Sequence, residues 1–286
     1  MITRPDGRRV AIHDLTPDAP ADAPVVLLCH VAPGSGAFDP DPNVTAQHRV
    51  RLVSVDRPGY GESDPVIDTF ATVVLAADDA AAALEEVGGR VAGVAGWSAG
   101  GRVALALAQR RPDLVDRVAV VGTPAPDEEV PWIPPEHRAG LEALRGLPPT
   151  EVHAALTGMF EPALAALSGD DRLGLTGVGP ADAEVLAGAG VRERLARMMD
   201  DALAQGARGM VADIAGYSLQ PWGFDPADVT ADVLLAYGTD DAIGAPHADW
   251  WAAHLPRATQ TLVPDVGHLV VVPTWDLVLR HLTATR

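Results

Sequence analysis

The chain has 286 residues, of which 48% are hydrophobic, and a formal net charge of −18. This negative charge repels polyanions and argues against nucleic acid as a partner. No apolar stretch reaches the roughly 18 residues of a membrane-spanning helix, so we expect no membrane partner. All 21 basic residues are arginine, which excludes Schiff-base and pyridoxal-phosphate chemistry and the phosphate-binding loop G-x-x-x-x-G-K-[ST].

Two further features favour a reducing compartment. Cys29 is the only cysteine, so no disulfide can form within the chain. The first fifteen residues lack the apolar segment that a signal peptide requires. We therefore expect a cytoplasmic protein.

Apolar runs that predict buried strands alternate with segments that predict helices. The Pro5-Asp6-Gly7 turn predicts a hairpin within Ile2–Asp14. Further strands are predicted at Val25–Cys29, Arg51–Val55, Val91–Ala95, Val118–Val121, Val233–Tyr237 and Gln260–Val263. Helices are predicted at Thr69–Val87, Ala99–Arg110, Pro246–His254 and Thr274–Leu282. This alternation predicts a mostly parallel sheet with helices on both faces.

The stretch from about Thr123 to Asp225 interrupts this alternation. It opens with several prolines and then shows helical patterns without a convincing strand. The predicted helices are Glu136–Leu144, Thr150–Leu167, Ala181–Ala187 and Val191–Gln205. We therefore expect a core domain made of residues 1–123 and 226–286, and a helical cap made of residues 124–225. Such a cap would cover the sheet edge where open α/β sheets bind ligands.

Gly96-Trp97-Ser98-Ala99-Gly100 has the pattern G-x-S-x-G between a predicted strand and a predicted helix. A serine on such a tight turn needs small neighbours, because positions two before and two after it crowd against the adjoining strand and helix. The N-terminal N–H groups of the following helix favour a developing oxyanion. We therefore predict that Ser98 is a nucleophile.

Other segments extend this pattern, and together they resemble the α/β-hydrolase superfamily over nearly the whole chain. In chain order they are Cys29-His30-Val31-Ala32-Pro33-Gly34-Ser35 (similar to H-G-x-P-G), Asp56-Arg57-Pro58-Gly59-Tyr60-Gly61-Glu62-Ser63 (D-x-x-G-x-G-x-S), Gly238-Thr239-Asp240-Asp241 (G-x-x-D) and Gly267-His268 (G-H). The resemblance is to the cap-bearing serine hydrolases and esterases of that superfamily. It implies an α/β-hydrolase fold with a mostly parallel eight-stranded sheet, helices on both faces and an inserted helical cap.

The chain order Ser-Asp-His of this fold indicates which base and acid would serve Ser98. His268 follows the last strand and is the predicted base, whereas His247 and His254 are expected at the surface. Asp241 fits the fourth position of the G-x-x-D turn and is the predicted acid. Asp240 and Asp127 stay open as alternatives.

The resemblance also implies that the backbone N–H groups of Ala32 and Ala99 form an oxyanion hole. Val31 stands where the family usually has glycine. Because a β-branched residue tolerates positive φ poorly, we expect this loop to follow a slightly different path.

Residues that contact the substrate are harder to predict. The candidates are His30, Trp97, Trp132, Met159, Phe160 and Trp222. Each has a structural alternative, because His30 can fix its loop by a hydrogen bond, Trp97 can pack under the turn, and the others can join the cap to the core.

These patterns predict a Ser-His-Asp hydrolase that works through an acyl-enzyme on a small or medium carboxylic ester. We expect no cofactor and no metal, a small-molecule ester or amide as partner, and a monomer or homodimer. Serine at the turn excludes the relatives that use aspartate there. A proline-iminopeptidase-like aminopeptidase, a cofactor-free perhydrolase and a ligand receptor on the same fold remain alternatives.

Overall fold

A seven-stranded sheet forms the centre of the molecule in the computed structural model, which describes residues 1–284. The strands are β1 (Ile2–Thr3), β2 (Arg9–Val10), β3 (Ile12–Asp14), β4 (Val25–Cys29), β5 (Arg51–Val55), β6 (Val91–Trp97), β7 (Arg117–Val121), β8 (Asp232–Gly238) and β9 (Ala258–Val263). The central sheet has the order β3-β5-β4-β6-β7-β8-β9. Only β3 runs antiparallel to its neighbour, and the other pairs are parallel. Helical crossovers make such parallel pairing possible.

Helices cover both faces of this sheet. The α-helices are α1 (Pro42–His48), α2 (Val73–Val87), α3 (Ala99–Arg110), α4 (Pro135–Glu142), α5 (Pro149–Ala166), α6 (Ala183–Leu186), α7 (Val191–Ala202), α8 (Arg208–Asp213), α9 (Ala245–His254) and α10 (Trp275–Thr283). Short 3₁₀ helices lie at Gly169–Thr176, Pro180–Asp182, Pro226–Asp228 and His268–Val271, and a π-helix at Ile214–Ser218. The α/β-hydrolase architecture expected from the sequence is confirmed.

The expected count of eight strands was wrong, because the described residues place seven strands in the central sheet. The predicted N-terminal hairpin exists, but β1 and β2 pair only with each other. Arg4 and Arg8 both bind the buried carboxylate of Asp79 in α2. These ion pairs hold the hairpin of β1 and β2 against α2. Of the three N-terminal strands, β3 alone belongs to the central sheet.

Alternate residues of the buried strands pack into two hydrophobic clusters. Leu27 of β4 packs on the face that is covered by α2, α3 and α9. Its neighbour Leu28 packs on the opposite face, with Trp275 and Leu279 of α10. Every residue of β4 is buried, which explains why the sequence shows a continuous apolar run rather than an alternating one.

The chain between β7 and β8 contains helices and, within the described residues, no strand. Its α7 buries Leu195 and Met198 against the same cluster as Leu28. Its α5 and α8 also form a small core of their own, to which Leu156 and Val211 belong. The boundary of the cap at residues 124–225 stays a prediction.

α2 begins four residues later than predicted, because the hydroxyl of Thr72 accepts a hydrogen bond from the Leu75 N–H and caps the helix there. Within residues 1–284, no helix combines the length and the apolar character that crossing a membrane requires.

Candidate active site

Ser98 lies on the tight turn between β6 and α3. Its φ of 55° and ψ of −122° are strained for a residue with a side chain. The surrounding backbone stabilises this conformation. The Ser98 N–H donates to the Val121 carbonyl at 2.8 Å, and the Thr123 hydroxyl donates to the Ser98 carbonyl at 2.8 Å.

The glycines around Ser98 are needed for close packing. A Cβ atom at Gly96 would collide with the backbone of Gly100, one at Gly100 with the Cys29 carbonyl, and one at Gly101 with the Thr123 hydroxyl. The G-x-S-x-G spacing therefore lets β6, β4 and α3 meet at this turn. The consequence is a serine held at the N-terminus of a helix.

His268 and Asp241 form a buried pair. The Nδ1 atom of His268 lies 2.7 Å from Oδ2 of Asp241, and the two side chains are only 6% and 5% exposed. The other oxygen of Asp241, Oδ1, accepts a hydrogen bond from the Ile243 N–H at 3.0 Å. The His268 carbonyl accepts one from Nε1 of Trp97 at 3.0 Å. Both side chains are thus fixed in orientation.

The alternative acids make other contacts. Asp240 is exposed, and its Oδ1 accepts a hydrogen bond from the Thr239 hydroxyl. Asp127 accepts hydrogen bonds from the Trp132 and Ile133 N–H groups and pairs with Arg138. The structure therefore brings Asp241, and neither of these carboxylates, to the imidazole of His268.

A cavity of about 540 Å³ contains these groups. Its wall is formed by Ala32, Pro33, Ser98, Ala99, Arg102, Pro124, Trp132, His137, Phe160, Leu175, Thr176, Gly177, Met210, Asp213, Ile214, Tyr217, Ser218, Asp241, Ala242, Ile243 and His268. The Ser98 hydroxyl makes no hydrogen bond within residues 1–284, which is common for catalytic groups before substrate binds. Ser98 and His268 therefore open into the same space.

The predicted oxyanion donors also lie in this wall. Ala99 is the first residue of α3, so its N–H has no acceptor within the helix. The Ala32 N–H makes no hydrogen bond in the described part of the chain, and the Ala32-Pro33 peptide bond is cis. Val31 is fully buried and avoids positive φ. Whether this loop differs in path from that of the family stays a prediction.

Two of the predicted substrate contacts line the cavity, namely Trp132 and Phe160. Met159 is exposed and lies outside it. Trp222 also lies outside, because it stacks on Trp251 and Phe224 beside the core. The structure therefore gives Met159 and Trp222 no place in the cavity wall.

His30 and Trp97 lie beneath the site rather than in its wall. Nδ1 of His30 donates to the Val31 carbonyl, and its Nε2 accepts from the Arg57 N–H. Burial, together with the charge of Arg57, holds the pKa of His30 well below its ordinary value. Neutral His30 thus fixes the loop, and Trp97 supports His268.

His247 was expected at the surface but is buried. Its Nδ1 accepts a hydrogen bond from the Ala125 N–H at 3.1 Å, and burial lowers its pKa. It fixes the chain where it leaves β7 toward the cap. Surface placement was therefore wrong for this residue.

Two residues between β7 and β8 that the sequence did not single out contact the loop that carries His268. Asp182 is buried and accepts hydrogen bonds from the N–H groups of Leu269 and Gly179. Gly177 has a φ of +85°, and a Cβ atom there would lie 2.7 Å from Cδ2 of His268. The sequence signal is the cluster Gly177-Val178-Gly179-Pro180, which indicates a turn but not its neighbour.

A buried ion pair was missed as well. Arg57 and Asp213 meet at 2.7 Å, and the Tyr60 hydroxyl donates to the same carboxylate. Arg57 also donates to the carbonyls of His30 and Val31. The pair therefore joins α8 to the loop that follows β4.

One group of side chains has the composition of a metal site. His13, Asp56 and Asp201 offer atoms within 4.8 Å of one another. Asp56 already accepts hydrogen bonds from the Gly36 N–H and from Nε2 of His13. Burial opposes the charged form of His13, but Asp56 outweighs it and raises the pKa of the imidazole. These residues do not line the cavity of Ser98. A hydrogen bond joins His13 to Asp56, whereas Oδ2 of Asp201 is buried without a hydrogen-bond partner within the described residues.

The family of the chain follows from this fold together with the sequence. The sequence model of the alpha/beta hydrolase fold family matches residues 24–273. The chain therefore belongs to this family, and it is a hydrolase of the α/β fold.

Among named relatives, a pimeloyl-[acyl-carrier protein] methyl ester esterase from Nitrosomonas europaea is 29% identical over 251 residues, which cover 85% of this chain and 88% of the relative. A putative carbamate hydrolase RutD from Caulobacter sp. (strain K31) is 32% identical over 119 residues, or 41% of this chain. That match spans 44% of the relative's own length, less than half of it.

Solved structures share the fold. A hydrolase from Pseudomonas aeruginosa PA01 has a TM-score of 0.71 at 20% identity and covers 99% of this chain and 97% of its own. A thermophilic esterase from Thermogutta terrifontis has a TM-score of 0.64 at 22% identity, with coverage of 97% and 93%. At such identities the likeness concerns the fold alone.

Proposed function

We propose that this hydrolase cleaves carboxylic esters through an acyl-enzyme on Ser98, with His268 as general base and Asp241 as the acid of the triad. One observation carries the proposal. Strained Ser98, at the N-terminus of α3, opens into the same cavity as the buried pair of His268 and Asp241. Strain at a nucleophile and a fixed imidazole are what acyl transfer by serine requires.

In the first half of the reaction, the Ser98 hydroxyl oxygen forms a bond to the acyl carbon while its proton passes to Nε2 of His268. The negative charge on the carbonyl oxygen is stabilised by the N–H groups of Ala32 and Ala99. Collapse of this intermediate breaks the bond to the alcohol, which leaves with the proton from His268. Water then attacks the acyl carbon while its proton passes to His268. The bond to the Ser98 oxygen breaks, the acid leaves, and Ser98 takes the proton back from His268.

Asp241 keeps His268 in the tautomer that this sequence needs. Its carboxylate accepts a hydrogen bond from the N–H at Nδ1, so Nε2 is unprotonated and can take the serine proton. The carboxylate also stabilises the imidazolium that forms. Its burial strengthens this interaction, because little water competes.

The proposed substrate is a small or medium ester, and the volume of about 540 Å³ suits such a molecule. The named relatives include a methyl ester esterase and a putative carbamate hydrolase, which supports hydrolysis of acyl compounds. An aminopeptidase would need a free carboxylate for the substrate amine. Within the described residues, the carboxylates of the cavity wall are Asp213 and Asp241, and both are paired.

We further propose that residues 124–225 act as a lid. Trp132, Phe160, Leu175 and Met210 from this segment form the apolar side of the cavity wall. An acyl chain would pack against them while its carbonyl carbon lies at Ser98. Exclusion of water there strengthens the electrostatic interactions of the reaction.

Turnover of p-nitrophenyl butyrate tests the proposal. Ser98→Ala should lower kcat by roughly 10⁴–10⁶-fold, because the triad acts as a unit. Ser168→Ala, at an exposed serine, is the matched control and should leave kcat unchanged. Circular dichroism checks that both variants fold. Retention of more than about a tenth of wild-type activity in Ser98→Ala would show that another residue is the nucleophile.

A further inference from the structure

Arg102 is a buried cation in the wall of the candidate active site. It lies in α3, one helical turn after Ser98, and is 4% exposed. It lines the cavity of Ser98 and also an adjoining cavity of about 490 Å³. Its backbone therefore lies about one turn of helix, roughly 6 Å along the axis, from that of Ser98.

The guanidinium group of Arg102 is incompletely bound. Its Nη2 donates to the Pro124 carbonyl at 3.1 Å, and its Nε has no hydrogen-bond partner. Within residues 1–284, no carboxylate forms an ion pair with it. The Trp222 ring centre lies 4.4 Å from its Cζ and the Trp132 ring centre 6.0 Å. A guanidinium has five N–H donors, so most of its donor capacity is unused.

Arg57 offers a direct comparison, because it is 5% exposed and lies near the same cavity. Arg57 binds the carboxylate of Asp213 through two nitrogens and donates to two carbonyls. Arg102 has neither. It also lies in the first turn of a helix, where the helix dipole disfavours a positive charge. The fold therefore holds Arg102 at a place where only a bound anion would neutralise it.

The other charged groups near Arg102 do not supply that anion. Asp213 and Asp241 are engaged by Arg57 and His268. The charge of Glu128 acts on Arg102, but its side chain is 74% exposed and lies 3.6 Å from Arg145. Within residues 1–284, no carboxylate of the cavity wall is therefore free to neutralise Arg102, and an anion in the cavity could do so.

A second polar group lies beside this cation. Tyr217 lines both cavities, and its hydroxyl is buried without a hydrogen-bond partner. A carboxylate accepts hydrogen bonds from a guanidinium and from a phenol. One cation and one neutral donor match a single negative charge.

We infer that Arg102 and Tyr217 form a subsite for a carboxylate, so that the preferred substrates are esters that carry an ionised carboxylate at some distance from the ester carbonyl. This inference rests on the proposed function of Ser98. An acidic protein could select an anionic substrate in this way, because the positive charge of Arg102 is buried at the site itself.

Paired substrates of equal chain length test it. Monomethyl adipate is compared with methyl hexanoate, and 4-acetoxybutanoate with butyl acetate, by titrating the acid released. In the wild type, kcat/KM should favour the anion in at least one pair. Arg102→Met should lower that anion-to-neutral ratio at least tenfold, and Tyr217→Phe about threefold or more. Arg197→Met removes the same charge at an exposed position and should leave the ratio unchanged. A ratio within twofold of wild type in Arg102→Met, for both pairs, overturns the inference.

Binding measured without turnover separates this inference from the proposed function. Monomethyl adipate is titrated calorimetrically into Ser98→Ala and into the double variant Ser98→Ala with Arg102→Met. Binding that weakens at least tenfold in the double variant supports the subsite even if no ester is hydrolysed. Equal affinities, or no binding to either protein, overturn it even if Ser98 proves to be the nucleophile.

Discussion

Replacement of Asp241 by asparagine should reverse the hydrogen bond that prepares His268. The Ile243 N–H donates to Oδ1 of Asp241 at 3.0 Å, and Oδ2 faces Nδ1 of His268 at 2.7 Å. In Asp241→Asn, the amide oxygen is needed for the Ile243 N–H. The amide NH₂ group then points at Nδ1, which must become an acceptor. The proton moves to Nε2, and His268 can no longer accept the Ser98 proton.

The expected loss is large, because the wrong tautomer removes the base itself. The corresponding change in a serine protease lowers kcat about 10⁴-fold, which equals about 5.5 kcal/mol of transition-state stabilisation. The close contact and the burial of both side chains support a value of this order here. Asparagine has nearly the same shape as aspartate, so the fold should persist.

Asp240→Asn is the matched control on the adjoining residue. Asp240 is exposed, and within residues 1–284 its carboxylate hydrogen-bonds to the Thr239 hydroxyl alone. Such a carboxylate contributes about a kcal/mol or less. Its kcat should therefore fall less than about fivefold. Hydrolysis of p-nitrophenyl butyrate, with circular dichroism and thermal unfolding as folding controls, measures both. More than about a tenth of wild-type kcat in Asp241→Asn, or an equal loss in Asp240→Asn, would refute this reasoning.

Two further predictions concern stability. Burial raises the pKa of Asp39 to about 6, above its unfolded value of about 3.9, so the contribution of Asp39 to the stability of the folded wild type should fall as pH rises from about 4 to 6. Asparagine at this position keeps the hydrogen bonds that Oδ1 accepts from the Asp41 N–H and the Thr45 hydroxyl. In urea unfolding, the free energy of unfolding of Asp39→Asn should therefore rise by about 1–3 kcal/mol relative to wild type across that pH range. A difference that does not depend on pH would contradict this prediction. Asp182→Ala should lower the free energy of urea unfolding by about 2–4 kcal/mol, because the buried N–H of Leu269 and the partly buried N–H of Gly179 lose their acceptor. A loss below about 0.5 kcal/mol would show that Asp182 does not hold its segment to the loop that carries His268.

The strands and the serine turn were predictable because their signals are local. The apolar run Val25–Cys29 marks a strand buried on both faces, and the structure places β4 at those residues. The glycines beside Ser98 report backbone contacts within one strand–turn–helix unit. In contrast, helix α1 was not predicted, because it has only seven residues and little apolar periodicity. Its signal is Asp41 before Pro42, a cap followed by a helix-starting proline.

Contacts between distant parts of the chain were not predictable. Arg57 meets Asp213 across 156 positions, and Asp182 meets Leu269 across 87. Neither pair has a local pattern, since buried charges look like surface charges in a chain this acidic. The same reason hid Arg102, whose environment depends on the paths of Pro124 and Trp222. Met159 was chosen by its type, and the orientation of α5 leaves it exposed.

The role of Ser98 is the centre of this account, and covalent labelling tests it most directly. The wild-type protein is treated with a fluorophosphonate, digested and analysed by tandem mass spectrometry. One phosphonylated residue is expected, Ser98, because its hydroxyl lies on a strained turn and opens into the same cavity as the imidazole of His268. An active protein that carries the adduct on another residue, or that remains unlabelled at Ser98, would contradict it.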